Sequence, residues 1–238
     1  MCGRFTHALT WRELVALYRL TMPTPPAGWS ARYNLAPSQL APIVRRRDAG
    51  GDRELAMLKW GLVPRWAKDP NIGYSTINAR AETVASKPTF REAFRRRRCL
   101  VPASGYFEWR TEGKGPKQPY HFTRADGQIM TFAGLWEAWT PPAGEPPLET
   151  FTIIVGPASD QARPHHDRMP SVLEESEFEV WLDPQAPADE LQGLLRPFAG
   201  ELEIRAVSRA VNNVANDDAS LLADAPPPES KPAQPRLL

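Results

Sequence analysis

From Leu100 to Val155 the chain is a succession of β-type segments with no helical period between them. Leu100 to Trp109, Tyr120 to Arg124, Ile129 to Trp139 and Thr150 to Val155 are rich in β-branched and aromatic residues and are separated by Gly, Pro and Asp breaks. A doubly wound parallel sheet needs a helix between successive strands, and this stretch has none. The expected fold is α+β, with a mixed, strongly bent or barrel-like sheet at its core and helices on its flanks.

The flanking segments agree with that expectation. Thr10 and Glu13 form a capping box, and Leu14, Leu17 and Tyr18 recur at helical spacing, which predicts a helix over 11–19 ended by the proline-rich stretch Met22 to Gly28. Pro42 to Arg45 and Leu55 to Leu62 read as a hairpin around Asp48-Ala49-Gly50-Gly51-Asp52. A second helix is predicted from Thr89 to about Arg97, with Phe90 and Phe94 facing the core and Arg91, Arg95 and Arg98 sharing another face. Helices return near Glu174 to Trp181 and Pro187 to Leu195, followed by a strand over Leu202 to Val207. No internal repeat is visible. Residues 1–224 are expected to form one domain, and the Pro/Ala-rich residues 225–238 a disordered tail.

No apolar run approaches the ~18 residues of a membrane span, and the start lacks the apolar core of a secretory signal. Two cysteines, Cys2 and Cys99, make no disulfide framework in a chain this long, so reduced thiols and a cytoplasmic location are expected. The net charge of +1 hides an asymmetry: residues 1–120 hold 21 Lys and Arg against 9 Asp and Glu, and the remainder holds 8 against 19. Arginine outnumbers lysine 23 to 6. A basic half rich in planar guanidinium suits a nucleic-acid partner. The alternative source of that bias is a GC-rich genome.

Met1-Cys2 places a small residue after the initiator, the context in which Met1 is clipped. The processed chain would present an α-amine of pKa about 7.7–8.0 and a thiol of pKa about 8.5 on one carbon framework. Together they can close an aldehyde into a thiazolidine; alternatively, the thiol can attack an amide as in an N-terminal-nucleophile hydrolase. His165-His166-Asp167 lacks the separated Cys/His partners of a zinc site, so neither metal nor cofactor is expected. His7 and His121 read as surface or packing residues.

Several ordered blocks carry a resemblance. Cys2-Gly3-Arg4-Phe5, Tyr33-Asn34-Leu35-Ala36-Pro37, Trp60-Gly61-Leu62-Val63-Pro64 with Trp66, and Asn78-Ala79-Arg80-Ala81-Glu82-Thr83 come first. Gly105-Tyr106-Phe107-Glu108-Trp109, Ala133-Gly134-Leu135-Trp136, His166-Asp167-Arg168-Met169-Pro170 and Val207-Ser208 with Val211-Asn212 follow. In these blocks, from Cys2 to about Leu222, the chain resembles the SRAP family of SOS-response-associated peptidases, the abasic-site processing proteins.

The resemblance implies a thiazolidine crosslink between an N-terminal cysteine and the opened sugar of an abasic site in single-stranded DNA, shielding the lesion during the DNA-damage response. It assigns Cys2 as nucleophile, Asn78 to orient it, and Glu108 and His166 to move protons. Arg4, Arg80 and Arg168 would hold phosphates, a structural salt bridge being the alternative for each; Asn34 is a further DNA-binding candidate, and Trp66, an aromatic beside a basic loop, is a candidate to stack an exposed base. The protein would act as a monomer. The rival is a cysteine peptidase built on Cys2 with His166 and Glu108. One departure stands out: Val155-Gly156 occupies the place of a family threonine pair, which would remove hydroxyls near the site.

Overall fold

The computed structural model describes residues 2–47, 51–113, 115–142 and 144–225. The predicted turn at 48–52 falls partly, and the predicted tail almost wholly, outside them. The chain opens with β1 (Phe5–His7), α1 (Trp11–Tyr18), β2 (Arg32–Leu35), β3 (Leu40–Arg45), β4 (Glu54–Trp60) and β5 (Asn78–Arg80). It continues with α2 (Arg91–Arg96), β6 (Arg98–Ala103), β7 (Gly105–Arg110), β8 (Gln118–Arg124), β9 (Met130–Trp139) and β10 (Leu148–Pro157). The last elements are β11 (Arg168–Pro170), α3 (Phe178–Leu182), α4 (Ala188–Gly193) and β12 (Leu202–Ala206). Among the described residues no helix is long and apolar enough to cross a membrane.

Strand β4 pairs β3, β3 pairs β6, β6 pairs β9, β9 pairs β10, and β10 returns to β4 in parallel through Thr150–Lys59 and Phe151–Trp60. Five strands thus close into a barrel, as the sequence expectation of a bent sheet allowed. Alternation sorts their side chains. Ile43, Leu58, Cys99, Val101, Phe132, Phe151 and Ile153 share one core cluster, which also takes in Cys2, Phe5, Tyr106 and Phe122. Val44, Leu55, Leu100, Leu135 and Ile154 point the other way, into a second cluster with Leu14, Tyr18, Phe94, Phe178 and Trp181 from the helices. The first cluster extends to a second, five-stranded sheet ordered β12-β8-β7-β1-β2.

The barrel is tight at Gly134. A Cβ there would sit 2.8 Å from Val101 Cγ2 and 2.9 Å from Cys99 Sγ, so the space is filled from β6. Gly134→Ala is expected to cost about 1–3 kcal/mol by overpacking, read as a lowered denaturation midpoint at unchanged m-value.

Helix α1 is capped as predicted: the Glu13 N–H donates to Thr10 Oγ1 at 3.3 Å, and Glu13 Oε2 accepts from the Thr10 N–H at 2.6 Å. The β3–β4 hairpin is likewise present. The segment Leu100 to Trp109 is two strands, not one. It breaks at Ser104, β6 entering the barrel and β7 the second sheet. Gly105 permits the step, because a Cβ there would lie 2.6 Å from the Phe122 carbonyl and 2.4 Å from His121 Nε2. Arg98 also departs from expectation. It opens β6 rather than extending the face of α2, and its buried guanidinium donates to the carbonyls of Phe94 at 2.5 Å, Trp181 at 2.6 Å and Asp183. It answers helix-end carbonyls that have no intrahelical partner.

Candidate active site at the chain start

Strand β1 lies antiparallel on β7, with Phe5 opposite Tyr106 and the Phe107 N–H donating to the Arg4 carbonyl at 3.0 Å. Extended toward the chain start, this register runs Cys2 alongside the Glu108 end of β7. Alternation puts Tyr106 in the core cluster of Cys2 and turns Phe107 toward Val207, Val211 and Leu221. Glu108, two residues beyond Tyr106, takes the Cys2 side.

Cys2 is fully buried, its thiol 3.9 Å from the Arg4 carbonyl. Burial pushes that thiol far above its usual range, and the Glu108 charge adds to the rise. Desolvation likewise raises the Glu108 carboxyl to about 7, against the opposing charge of the amino terminus. The Tyr106 hydroxyl is raised by burial and by the charges of Cys2 and Glu108, and it has no hydrogen-bond partner among the described residues. The structure therefore brings Cys2, Tyr106 and Glu108 into one desolvated group.

His166 lies on the connection between β10 and β11. Its pKa is lowered by burial and by the charge of the amino terminus, which also acts on Glu108. Nδ1 accepts the Arg168 N–H at 2.9 Å and lies 2.9 Å from the Asp167 carboxylate. The neutral ring keeps the first contact and carries its proton on Nε2; a protonated ring would exchange it for the second. His165 packs edge-on against Tyr120 and Phe122, as a structural histidine does. His7 and His121 are buried packing residues. Among the described residues no three His, Cys, Asp or Glu side chains converge to hold a metal ion.

Asn78 stands on β5, opposite Ile153 of β10. Its Nδ2 donates to the Ile77 carbonyl at 3.0 Å, and its Oδ1 is buried without a partner among the described residues. No hydrogen bond joins it to Cys2. Arg80 and Arg168 flank β10 from either side, Arg80 opposite Val155 and Arg168 opposite Pro157. Arg168 is paired with Glu82, whose carboxyl also feels the Arg80 charge.

Asn34 has no access to a ligand. It is fully buried, and its Nδ2 donates to the carbonyls of Val211, Asn213 and Asn216 at 2.8–3.2 Å. Arg4 joins the same arrangement, donating to Asn34 Oδ1 at 2.7 Å and the Val211 carbonyl at 2.9 Å, with its guanidinium over the Trp109 ring. The pair fastens the 211–216 segment to the second sheet and so fixes the start of β1. Trp66 is 61% exposed and lines a separate cleft with Arg65, Arg91 and Arg96.

The chain matches the family model described as SOS response associated peptidase (SRAP) over residues 1–214. It belongs to the SRAP family. Among the relatives, "Abasic site processing protein YoqW" of Bacillus subtilis is 38% identical, with 93% of this chain and 99% of that protein covered. "Abasic site processing protein HMCES" of Gallus gallus is 35% identical over 78% of this chain and 63% of its own length. A crystal structure of a Bacteroides thetaiotaomicron protein superposes with a TM-score of 0.84 at 29% identity, covering 94% of this chain and all of that one.

Two groups whose charges couple to Glu108 were given no role from sequence. Tyr106 was legible as the partner of Glu108 on one strand face. Lys117, whose charge lowers the pKa of both Glu108 and His166, is brought in only by the pairing of β7 with β8. The Val155-Gly156 departure divides: Val155 lies in the Cys2 cluster, whereas a Cβ on Gly156 would meet Ser171 Oγ and Ala81 instead.

Proposed function

We propose that this chain captures abasic sites in single-stranded DNA as a thiazolidine on Cys2 after removal of Met1. The observation that carries this reading is a carboxyl held near pH 7 beside a buried cysteine at the chain start. The sugar must lose its hydroxyl proton and gain one on the ring oxygen to expose an aldehyde, and Glu108 and His166 divide that work. The Cys2 amine adds to the aldehyde carbon and water leaves, giving an imine. The thiol then adds across the C=N bond, its sulfur to carbon and its proton to nitrogen. The balance is protein plus DNA minus one water.

The Asn78 Oδ1, buried and unpartnered, is suited to orient the freed amine. Arg80 and Arg168 would take the flanking phosphates, with Glu82 releasing Arg168 to do so, and Trp66 would stack a base further along. The burial of Cys2 favours this chemistry over peptide cleavage, because a peptidase thiolate needs a depressed pKa and this environment raises it.

Intact mass spectrometry of processed protein incubated with an abasic single-stranded oligonucleotide should give a heat-stable adduct at the summed mass less one water, mapping to Cys2. Equal heat-stable yield from Cys2→Ala would remove Cys2 from the chemistry.

A further inference from the structure

Helix α2 carries Arg91, Arg95 and Arg96 away from the barrel, and three clefts meet at Arg96. One of about 660 Å³ is lined by Arg65, Trp66, Arg91 and Arg96. A second runs past Arg95 toward Gln185, and a third, of about 230 Å³, is lined by Arg46, Arg47 and Arg98. Many of these charges are answered internally. Arg65 and Arg97 share Glu137 at 3.0 and 2.8 Å, Arg46 pairs with Glu179 at 2.7 Å, and Arg47 with Glu54 at 2.7 Å. Arg95 lies 3.6 Å from Glu92. Arg91 and Arg96 are exposed and have no carboxylate partner among the described residues.

This face is separate from the Cys2 centre. Phe94 and Ala93 seat α2 in the second core cluster, while Cys2 belongs to the first. None of the arginines around these clefts is among the main charges acting on Glu108 or His166.

We propose that the α2 face binds the phosphodiester backbone of nucleic acid, as a second, sequence-independent contact outside the lesion-holding site. It rests on the reading that the chain handles DNA. Two uncommitted guanidiniums on a helix, beside clefts that could track a strand, match a run of phosphates. The exposed Trp66 indole at the rim of the largest cleft offers a base a stacking surface. Single-stranded DNA answers both features at once, phosphates at the guanidiniums and an unstacked base on the indole.

The test is noncovalent binding of undamaged 30-nucleotide single-stranded DNA to an Arg91→Ala/Arg96→Ala variant, titrated at several salt concentrations. Each lost phosphate contact removes about 0.7 from the salt slope, so the double variant should lose about 1.4, equivalent to roughly 25-fold in affinity at 0.1 M salt. An Arg91→Lys/Arg96→Lys variant should retain most of the slope. Covalent capture of a short abasic oligonucleotide should be unchanged in both, which separates failure of this proposal from failure of the Cys2 reading. Both side chains are exposed and unpaired, so the fold should survive, with thermal melting as the check. Wild-type affinity and slope in the alanine variant would overturn the proposal and leave the face to an acidic protein partner.

Discussion

Glu108→Gln is expected to slow adduct formation by about 10²-fold or more, the usual scale for loss of a general acid or base, while leaving noncovalent DNA binding near wild type. The wild-type rate should inflect near pH 7, where the buried carboxyl titrates, and the variant should lose that inflection. The same group makes a stability prediction of definite sign. Its folded pKa is raised from 4.5 to about 7, so the folded state holds more protons than the unfolded state within that window. Stability therefore falls as pH rises through it, and the whole penalty, roughly 3 kcal/mol at most, is present above pH 7. A neutral glutamine escapes the penalty. Glu108→Gln should melt at higher temperature than wild type at pH 8, and the gap should vanish below about pH 4.5. A slow variant that is also more stable would mark Glu108 as a residue kept for chemistry at a cost to the fold. A wild-type rate with an unchanged pH profile would remove it from the proton steps.

Local signals were the legible part of this fold. The capping box of α1, the β3–β4 hairpin and the β-branched and aromatic runs of β8, β9 and β10 between their Gly, Pro and Asp breaks are written in neighbouring residues. Strands β1, β5 and β11 are three residues each. Nothing in three residues distinguishes a strand from a loop, and these exist through their pairing with β7 and β10. Closure of the barrel depends on the parallel contact of β10 with β4, some ninety positions apart in sequence, and no local pattern encodes it. The site follows the same division. Cys2 stands out by type and position and Glu108 through the family resemblance, whereas Lys117 needs the β7–β8 pairing to become relevant. Asn34 shows a related limit. A polar residue in a family block reads as a ligand contact, yet buried carbonyls at 211–216 need donors too, and satisfying them is its task.

Blocking the chain start is expected to abolish the stable adduct altogether. A thiol alone gives an aldehyde only an open, reversible hemithioacetal. An amine and a thiol two carbons apart close a ring by an intramolecular step that gains from enforced proximity. With Met1 or an uncleavable extension retained, the Cys2 nitrogen is an amide and cannot form the imine on which ring closure depends, although the thiol is intact. Burial strengthens the argument here. The thiol of Cys2 is held well above its usual pKa, so it has little thiolate with which to act alone, whereas an amine freed beside Glu108 has a carboxyl poised near 7 to exchange protons with it. Cys2→Ser should permit at most a Schiff base, trappable with borohydride, or a less stable oxazolidine. The comparison is between processed and blocked protein, each incubated with abasic single-stranded DNA, heated and resolved under denaturing conditions. An equally heat-stable crosslink from the blocked form would defeat the thiazolidine mechanism and send the search to an internal lysine, Lys117 first because its charge already reaches both Glu108 and His166.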